Sequence, residues 1–373
     1  MNSITTLPSL AAARVLVRVD YNVPIKNGRI VDTRRIEASF KTLDTILKKG
    51  GIPVLLAHLG DGVESLRPIA LFLSKYYNVV FVPYDIEKTN IKELLAGVPK
   101  GTVVLLENIR RYSGEEKNGK AFAKKLASMG QYYINDAFSV SHRAHASVVG
   151  VPKLLPSYAG YQLLTEMSAL APALEVKKHP FVFILGGAKF KTKIPLFTQF
   201  IDTADSIIVT GALLSTFYKV AGFEIGSSVT EAGYDAVIRP LLSNPKLLLP
   251  IDVIVLRDDK KKTVAIDDLE KKDMIVDIGP RSVELIAQKI AKAKLTIWNG
   301  PTGWYEKGFT KGTIGVATAI VQAKGSAIIG GGDTGAVVEK IIGINKRVFV
   351  STGGGAAIDY LAKGTLPGIA ALG

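Results

Sequence analysis

The chain has 373 residues, 47% of them hydrophobic and 21% charged, with 47 Lys and Arg against 33 Asp and Glu for a net charge of +14. This composition supports about two globular domains and excludes general disorder. There is no cysteine and there are only four histidines, none in an HExxH pair, which excludes a disulfide scaffold, a thiolate zinc site and cysteine catalysis.

No apolar run reaches the roughly 18–20 residues of a membrane span. The opening MNSITTLPSL has neither the basic flank nor the apolar core of a secretory signal. A cytoplasmic protein with no membrane partner is therefore expected. The basic balance points to an anionic partner without saying whether it is nucleic acid, membrane or a phosphorylated metabolite. Lys48-Lys49, Lys177-Lys178, Lys260 to Lys262 and Lys271-Lys272 are read as solvated positions, because no aromatic residues alternate with them as a stacking platform would need.

In chain order, strands are expected at Val15–Asp20, Pro53–Ala57, Val79–Pro83, Val103–Glu107 and Tyr132–Asp136. Helices are expected over Thr33–Lys49, Leu66–Tyr77 and Lys120–Met129. A domain boundary falls near Pro156–Gly160, followed by a helical segment, 161–177, in which Pro172 should end, kink or restart the helix. The second half repeats the alternation. Its expected strands are Phe181–Leu185, Ser206–Thr210, Asp252–Leu256, Met274–Ile278, Leu295–Trp298, Ala327–Ile329 and Arg347–Val350. Its expected helices are Thr192–Ile201, Ser282–Ala293, Ile314–Gln322, Gly335–Ile342 and Ala356–Lys363. One β-ribbon is expected over Ile254–Ile266, turning at Asp258–Lys262. Apolar strands alternating with helices make this an α/β chain of two doubly wound, parallel-sheet, Rossmann-like domains.

The halves differ where ligands bind such sheets, at the C-terminal ends of the strands. In the first half those ends carry Asp20-Tyr21-Asn22, His58-Leu59-Gly60, Glu107 to Arg110, and Asn135-Asp136 leading to His142, Arg143 and His145. Arg18, Arg35, Arg110 and Arg143, with the histidines, can form one anion pocket, although each arginine alone reads as a surface residue. In the second half the ends are glycine-rich: Gly186-Gly187-Ala188-Lys189, Thr210-Gly211, Asn299-Gly300-Pro301, Gly330 to Asp333, and Thr352 to Gly355. A single cluster of this kind is an ordinary tight turn. Several in one half-chain point to backbone N–H groups that cradle phosphate. No GxxxxGK[ST] loop occurs. Asp333 is either a helix N-cap or a ligand of magnesium beside phosphates. Lys189 and Lys193 are placed on one helix face next to the Gly-Gly turn.

These residues, in this order, resemble the phosphoglycerate kinase family over nearly the whole chain. The resemblance is carried by RVDYNVP (18–24), DTRRI (32–36), HLG (58–60), ENIR (107–110), GEEKN (114–118), NDAF (135–138), HRAHAS (142–147), GGAKFKTKI (186–194), WNGPTGWYE (298–306), GGGDT (330–334), STGGGA (351–356) and LPGIAAL (366–372). It implies reversible phosphoryl transfer between 1,3-bisphosphoglycerate with MgADP and 3-phosphoglycerate with MgATP, by a hinge-bending monomer that binds no nucleic acid. It further implies an N-terminal domain, 1–160, for 3-phosphoglycerate, an interdomain helix, 161–177, and a nucleotide domain, 178–356, with the tail 357–373 returning to the first domain. Asp20, Asn22, Arg35, His58, Arg110 and Arg143 would bind the glycerate. Lys189, Lys193, Asn299, Glu306, Gly331, Gly332, Asp333 and Thr334 would bind the nucleotide, with Asp333 at the Mg2+ ion. Arg35, Lys189 and Lys193 would act on the transferred group.

Three positions depart from the family. Members usually read His-Leu-Gly-Arg, with the arginine on the substrate phosphate, whereas Asp61 follows Gly60 here. Arg111 stands where the family has an aromatic residue, and an extra Arg34 precedes Arg35. Arg34, Arg67 or Arg111 could supply the missing charge. Two alternatives accompany the kinase reading: a kinase-like protein with weakened substrate binding, and a basic nucleic-acid-binding protein.

Overall fold

The structure, a computed structural model, describes residues 1–175, 178–342 and 345–373, without the side chains of 175, 192, 332, 333, 336 and 342. It contains two compact units, Met1–Ser168 with Thr365–Gly373, and Ala169–Gly364.

The first unit is built on a seven-stranded sheet. Its strands are β1 (Asn2–Ser3), β2 (Arg14–Arg18), β3 (Ile52–Leu56), β4 (Asn78–Val82), β5 (Thr102–Leu106), β6 (Tyr132–Asn135) and β7 (Ser157–Ala159). Their order is β1-β7-β6-β2-β3-β5-β4 and every pairing is parallel. All five residues of β3 and of β5 are buried, which is why these segments read as unbroken apolar runs. The expected helix 33–49 is two helices, Arg34–Glu37 and Phe40–Lys48. At the break the Ser39 hydroxyl donates to the Ile36 carbonyl (2.7 Å) and meets the buried Tyr21 hydroxyl (2.9 Å). A serine competing for a helix carbonyl in this way interrupts the ladder.

The second unit has a six-stranded parallel sheet and a small antiparallel one. The strands are β8 (Phe181–Leu185), β9 (Ser206–Val209), β10 (Leu247–Leu248), β11 (Asp252–Arg257), β12 (Lys260–Ala265), β13 (Met274–Ile278), β14 (Leu295–Asn299), β15 (Ser326–Gly330) and β16 (Val348–Val350). The large sheet runs β10-β9-β8-β14-β15-β16. The ribbon expected over Ile254–Ile266 is β11–β12, but its turn is shorter than the expected Asp258–Lys262: only Asp258 and Asp259, both at positive φ, make it, as in a two-residue hairpin, and Lys260 to Lys262 are paired in β12. Helices Ala212–Ala221 and Asp235–Leu242 were not anticipated. The first of these is buried along Leu213–Tyr218, so it lacks the polar face that marks a helix in sequence.

The helix Tyr161–Glu175 runs through Pro172, so of the expected end, kink or restart it neither ends nor restarts there. Proline removes one bond, here to the Ser168 carbonyl, and the remaining turns keep theirs. Positions 176 and 177 of the expected helix lie outside the described residues. At the C-terminus the helix Gly355–Lys363 belongs to the second unit and Thr365–Gly373 to the first. There Gly368 donates to the Ser141 carbonyl (2.8 Å), and a Cβ at Gly368 would sit 2.6 Å from Val148. Among the described residues no helix is long and apolar enough to cross a membrane.

Candidate active site

The first unit's polar residues gather around Gly60, in the loop after β3. The Gly60 N–H donates to Asn22 Oδ1 (3.0 Å), and its carbonyl accepts from Arg110 Nη1 (3.2 Å). Asn22 stands in the loop after β2 with Asp20, whose carboxylate accepts from the Asn22 N–H (3.2 Å) and the Ser139 hydroxyl (2.6 Å). Arg35 Nη1 lies 3.1 Å from that carboxylate and donates to the Asn22 carbonyl (3.2 Å). Asn22 and Arg110 thus hold Gly60 directly, and Asp20 and Arg35 hold Asn22.

A second layer carries the charge. Arg18 and His58 are both buried, and Arg18 Nη2 is 3.2 Å from His58 Nδ1. Arg110 Nε is 3.4 Å from Glu116, and its Nη2 is buried with no hydrogen-bond partner among the described residues. Burial and the neighbouring Arg143 charge lower the Arg110 pKa. Burial, then Arg18, Arg110 and Arg143, push His58 strongly down, so it is neutral. Burial and the same arginines push His145 down to about 4. A pocket that keeps its histidines neutral, holds three guanidinium groups and leaves a buried guanidinium nitrogen unpaired is short of negative charge. It is built to receive an anion.

In the second unit the strand ends emerge at one level. Leu185 pairs with Val209 and Asn299, and Asn299 with Gly330. The four loops that follow line a cleft of about 660 Å3 whose walls include Gly187, Lys189, Lys193, Gly211, Asn299, Gly300, Glu306, Gly331 and Thr334. Gly187, Gly211, Gly300 and Gly331 all have positive φ. At Gly300 a Cβ would sit 2.3 Å from the Gly186 carbonyl oxygen, so glycine is required for the loops to pack. At Gly331 a Cβ would meet only ordinary van der Waals contacts, Gly300 N at 3.6 Å and Thr334 Oγ1 at 3.7 Å. Helix Gly332–Ile342 begins at this point, and the Thr334 hydroxyl is buried without a hydrogen-bond partner among the described residues. A glycine at positive φ, a helix N-terminus and an orphaned hydroxyl together make a phosphate cradle.

Lys193, on helix Phe190–Phe200, is buried and donates to Asn299 Oδ1. Burial lowers its pKa to about 8. Lys189 is that helix's N-cap residue and also lines the cleft. The side chains of Gly332 and Asp333, and with them the magnesium assignment, lie outside the described residues.

The comparisons with known proteins agree with this geometry. The phosphoglycerate kinase family model matches residues 4–364. A phosphoglycerate kinase of Dictyoglomus turgidum is 39% identical, over 97% of this chain and 96% of its own. One of Finegoldia magna is 38% identical, over 95% of each chain. The chain belongs to the phosphoglycerate kinase family. Solved phosphoglycerate kinases have the same architecture. The Coxiella burnetii enzyme superposes with a TM-score of 0.84 at 34% identity, covering 99% of this chain and 97% of its own. The Pyrococcus horikoshii enzyme superposes with a TM-score of 0.87 at 26% identity, covering 100% and 98%. As a member of this family the protein is a phosphotransferase with a carboxyl group as acceptor, and the nucleic-acid-binding and weakened-kinase readings are not favoured.

The departures from the family pattern now have positions. Asp61 is exposed and has no partner among the described residues. Arg34 is committed to the Asp32 carboxylate (Nε 2.9 and 3.0 Å), and Arg67 lies over the Phe81 ring (5.3 Å). Arg111 donates to the carbonyls of Gly62 and Val63 (3.2 Å each) and stands 3.5 Å from Glu107. The arginine that replaces an aromatic residue therefore fastens the Asp61 loop. Glu107 completes the fastening by accepting from Ser65 and the Leu66 N–H (2.8 Å each), and Asn108 Nδ2 donates to the Leu59 and Glu64 carbonyls. Sequence reasoning missed these loop-holding roles of Glu107, Asn108 and Arg111. Their signal is a polar run placed directly after a fully apolar strand. It also missed the wall formed by Val229 and Met274–Asp277, because β13 reads only as a strand.

Proposed function

We propose that the protein interconverts 1,3-bisphosphoglycerate plus MgADP with 3-phosphoglycerate plus MgATP, holding the glycerate on the Gly60 cluster and the nucleotide in the glycine-lined cleft. The observation that carries the reading is Lys193, a buried ammonium beside a phosphate cradle with no carboxylate partner among the described residues. Such a charge is costly unless a ligand brings negative charge to it.

The acceptor is a carboxylate, already ionised at neutral pH, so no general base is required. The reaction needs in-line positioning and neutralisation of charge on the moving phosphoryl group. In this reading Lys193, Lys189 and the start of helix Gly332–Ile342 supply that neutralisation from the nucleotide side, and Arg35 supplies it from the glycerate side. Asp20 and Asn22 orient the glycerate, Arg110 and Arg143 hold its phosphate, and His58 donates to it. Asn299, Glu306, Gly331 and Thr334 surround the nucleotide. Because the two ligands sit on separate units, hinge closure is part of the proposal. Closure would also exclude water.

Magnesium fits the donors present in a limited way. Among the described residues no three acidic or imidazole side chains converge, and Mg2+ commonly relies on one or two carboxylates plus substrate phosphates. Asp333 is the carboxylate proposed for it, and when bound the ion would neutralise phosphate charge. A monomer in the cytoplasm belongs to the same reading. The test is a coupled assay of ADP formation from MgATP with 3-phosphoglycerate. Turnover that requires both substrates supports the reading, and nucleotide binding without turnover overturns it.

A further inference from the structure

We propose that Arg18 is a positioning residue that fixes His58 in one tautomer, neutral with its proton on Nε2, so that the ring serves as a hydrogen-bond donor to the bound glycerate. The inference rests on the reading that His58 belongs to the glycerate site.

A guanidinium has only donors and remains protonated in proteins. When Arg18 Nη2 stands 3.2 Å from His58 Nδ1, Nδ1 must be the acceptor. A ring with an accepting Nδ1 carries its proton on Nε2, and no described protein atom accepts from that nitrogen. The guanidinium itself cannot turn away. Nε donates to the Ser147 hydroxyl (2.9 Å) and Nη1 to the Val19 carbonyl (2.5 Å), with the Leu56 carbonyl at 3.4 Å. Ser147 is held in turn by Glu115, through its hydroxyl (2.5 Å) and its N–H (2.9 Å). Arg18, Ser147 and Glu115 are all buried, so this chain of contacts is a rigid backing for one imidazole.

The charged and titratable groups facing His58 come from several elements: Arg18 on β2, Arg110 after β5, Arg143 and the neutral His145 after β6, with Glu115 behind Arg18. Every near neighbour that carries a full charge toward the ring is cationic. Protonation is opposed on all these sides, and the ring keeps one neutral form at neutral pH. A second acceptor at Nε2 would meet an anionic ligand as two lone pairs in opposition, whereas the locked tautomer meets it with a hydrogen. The arginine therefore does more than add charge to the pocket. It decides which edge of the histidine can donate.

The tautomer is read directly by long-range 1H–15N correlation on protein labelled in its four histidines, with His58→Gln used to assign the signal. The expected result is the Nε2–H pattern, with no imidazolium between about pH 5 and pH 9. An Nδ1–H pattern, or protonation inside that window, overturns the inference in the unmodified protein. The double variant Arg18→Met/Glu115→Gln removes both buried charges, so neither is left unpaired. It should release the tautomer and raise the 3-phosphoglycerate KM about tenfold or more. An unchanged tautomer and KM in this variant overturn the role of Arg18. Adding saturating 3-phosphoglycerate to the wild type tests the underlying assignment separately. A locked ring whose Nε2 signal ignores the ligand overturns the placement of His58 in the glycerate site while leaving the tautomer lock standing.

Discussion

The Lys193 ammonium donates to the side-chain oxygen of Asn299, a neutral amide at the end of β14. Lys193 is buried, and burial alone brings its pKa down from 10.5 to about 8. The side chain is thus held charged and poorly solvated at the wall of the cleft proposed for the nucleotide. Lys193→Ala should lower turnover by roughly a hundredfold or more, the usual effect of removing one aimed donor from a dry site. Steady-state kinetics with both substrates varied provide the check. A raised nucleotide KM with intact turnover would show that Lys193 binds only the ground state.

The same lysine has a pH signature. Below about pH 8 the folded state bears a charge that it disfavours relative to the unfolded chain. As pH rises from about 8 toward the unfolded value near 10.4 the folded form loses its proton first, so stability rises with pH across that window. Lys193→Met should therefore be more stable than the wild type at pH 7, by on the order of 2–3 kcal/mol, and the gap should close as pH approaches about 10. Chemical denaturation at several pH values measures it. Because a polyphosphate restores the charge, MgADP binding near pH 9 should take up protons, which calorimetry in buffers of different ionisation enthalpy detects.

Two glycines in the cleft proposed for the nucleotide should respond differently to alanine. Gly300 has φ +93, and a Cβ there would lie 2.3 Å from a backbone oxygen. Gly300→Ala should cost several kcal/mol of stability, from overpacking together with backbone strain. Gly331 has φ +99, but a Cβ there would meet only ordinary contacts, at 3.6 Å and 3.7 Å. Gly331→Ala should cost only about 1–3 kcal/mol of stability while abolishing measurable MgADP binding, because the new methyl occupies the cradle. Thermal unfolding and calorimetric titration of both variants separate a fold defect from a ligand defect.

Asp61 and Arg111 divide the labour of one loop. Arg111→Ala removes two bonds to loop carbonyls. It should raise hydrogen exchange across residues 60–65 and the 3-phosphoglycerate KM several-fold, with turnover little changed. Asp61→Arg has no partner to break, since Arg34, Arg67 and Arg111 are all engaged elsewhere. A charge-assisted contact contributes about 1.5–3 kcal/mol, so this change should tighten 3-phosphoglycerate binding about tenfold or more. Michaelis constants at one fixed ionic strength decide both cases, and an equal or higher constant in Asp61→Arg rejects the second.

Asp136 should give a stability slope of opposite sign to that of Lys193. It is buried at the end of β6 and accepts from the Gln162 N–H (2.8 Å), while its Oδ2 has no partner among the described residues. Burial pushes its pKa up to about 8. Between the unfolded value near 3.9 and about 8 the folded state keeps a proton that the unfolded chain has lost, so stability falls as pH rises. Asp136→Asn retains the acceptor for Gln162 and should flatten that slope. Calorimetric unfolding from pH 5 to pH 9 tests it, and parallel slopes for the two proteins would reject the assignment.

Much was legible in the sequence because each feature left a local signature. Buried parallel strands must be apolar throughout, and tight strand-end turns must be glycine, so Phe181–Leu185 followed by Gly186-Gly187 could be placed to the residue. The ribbon β11–β12 was visible from its apolar first strand and the charged turn after it, although Lys260 to Lys262, expected in that turn, belong to β12. Residue types alone assigned cations to one half and backbone cradles to the other. Other features had no local signature. The helix Ala212–Ala221 is buried on most sides, so its pattern has no polar stripe to read. The continuation of a helix through Pro172 depends on bonds made by other residues.

The pairwise identities at the site were decided only by tertiary structure. Arg18, His58, Ser147 and Glu115 are scattered over 130 positions of sequence, and nothing in their spacing says that a guanidinium meets Nδ1 rather than solvent. The role of Arg111 likewise depends on where the loop after β3 lies beside the loop after β5, which is fixed by the parallel pairing of those two strands. The sequence by itself determined which chemistry was present, strand by strand, because composition and periodicity act over a few neighbouring residues. Which donor faces which acceptor is a property of sheet order and burial, and it exists only once distant strands lie side by side.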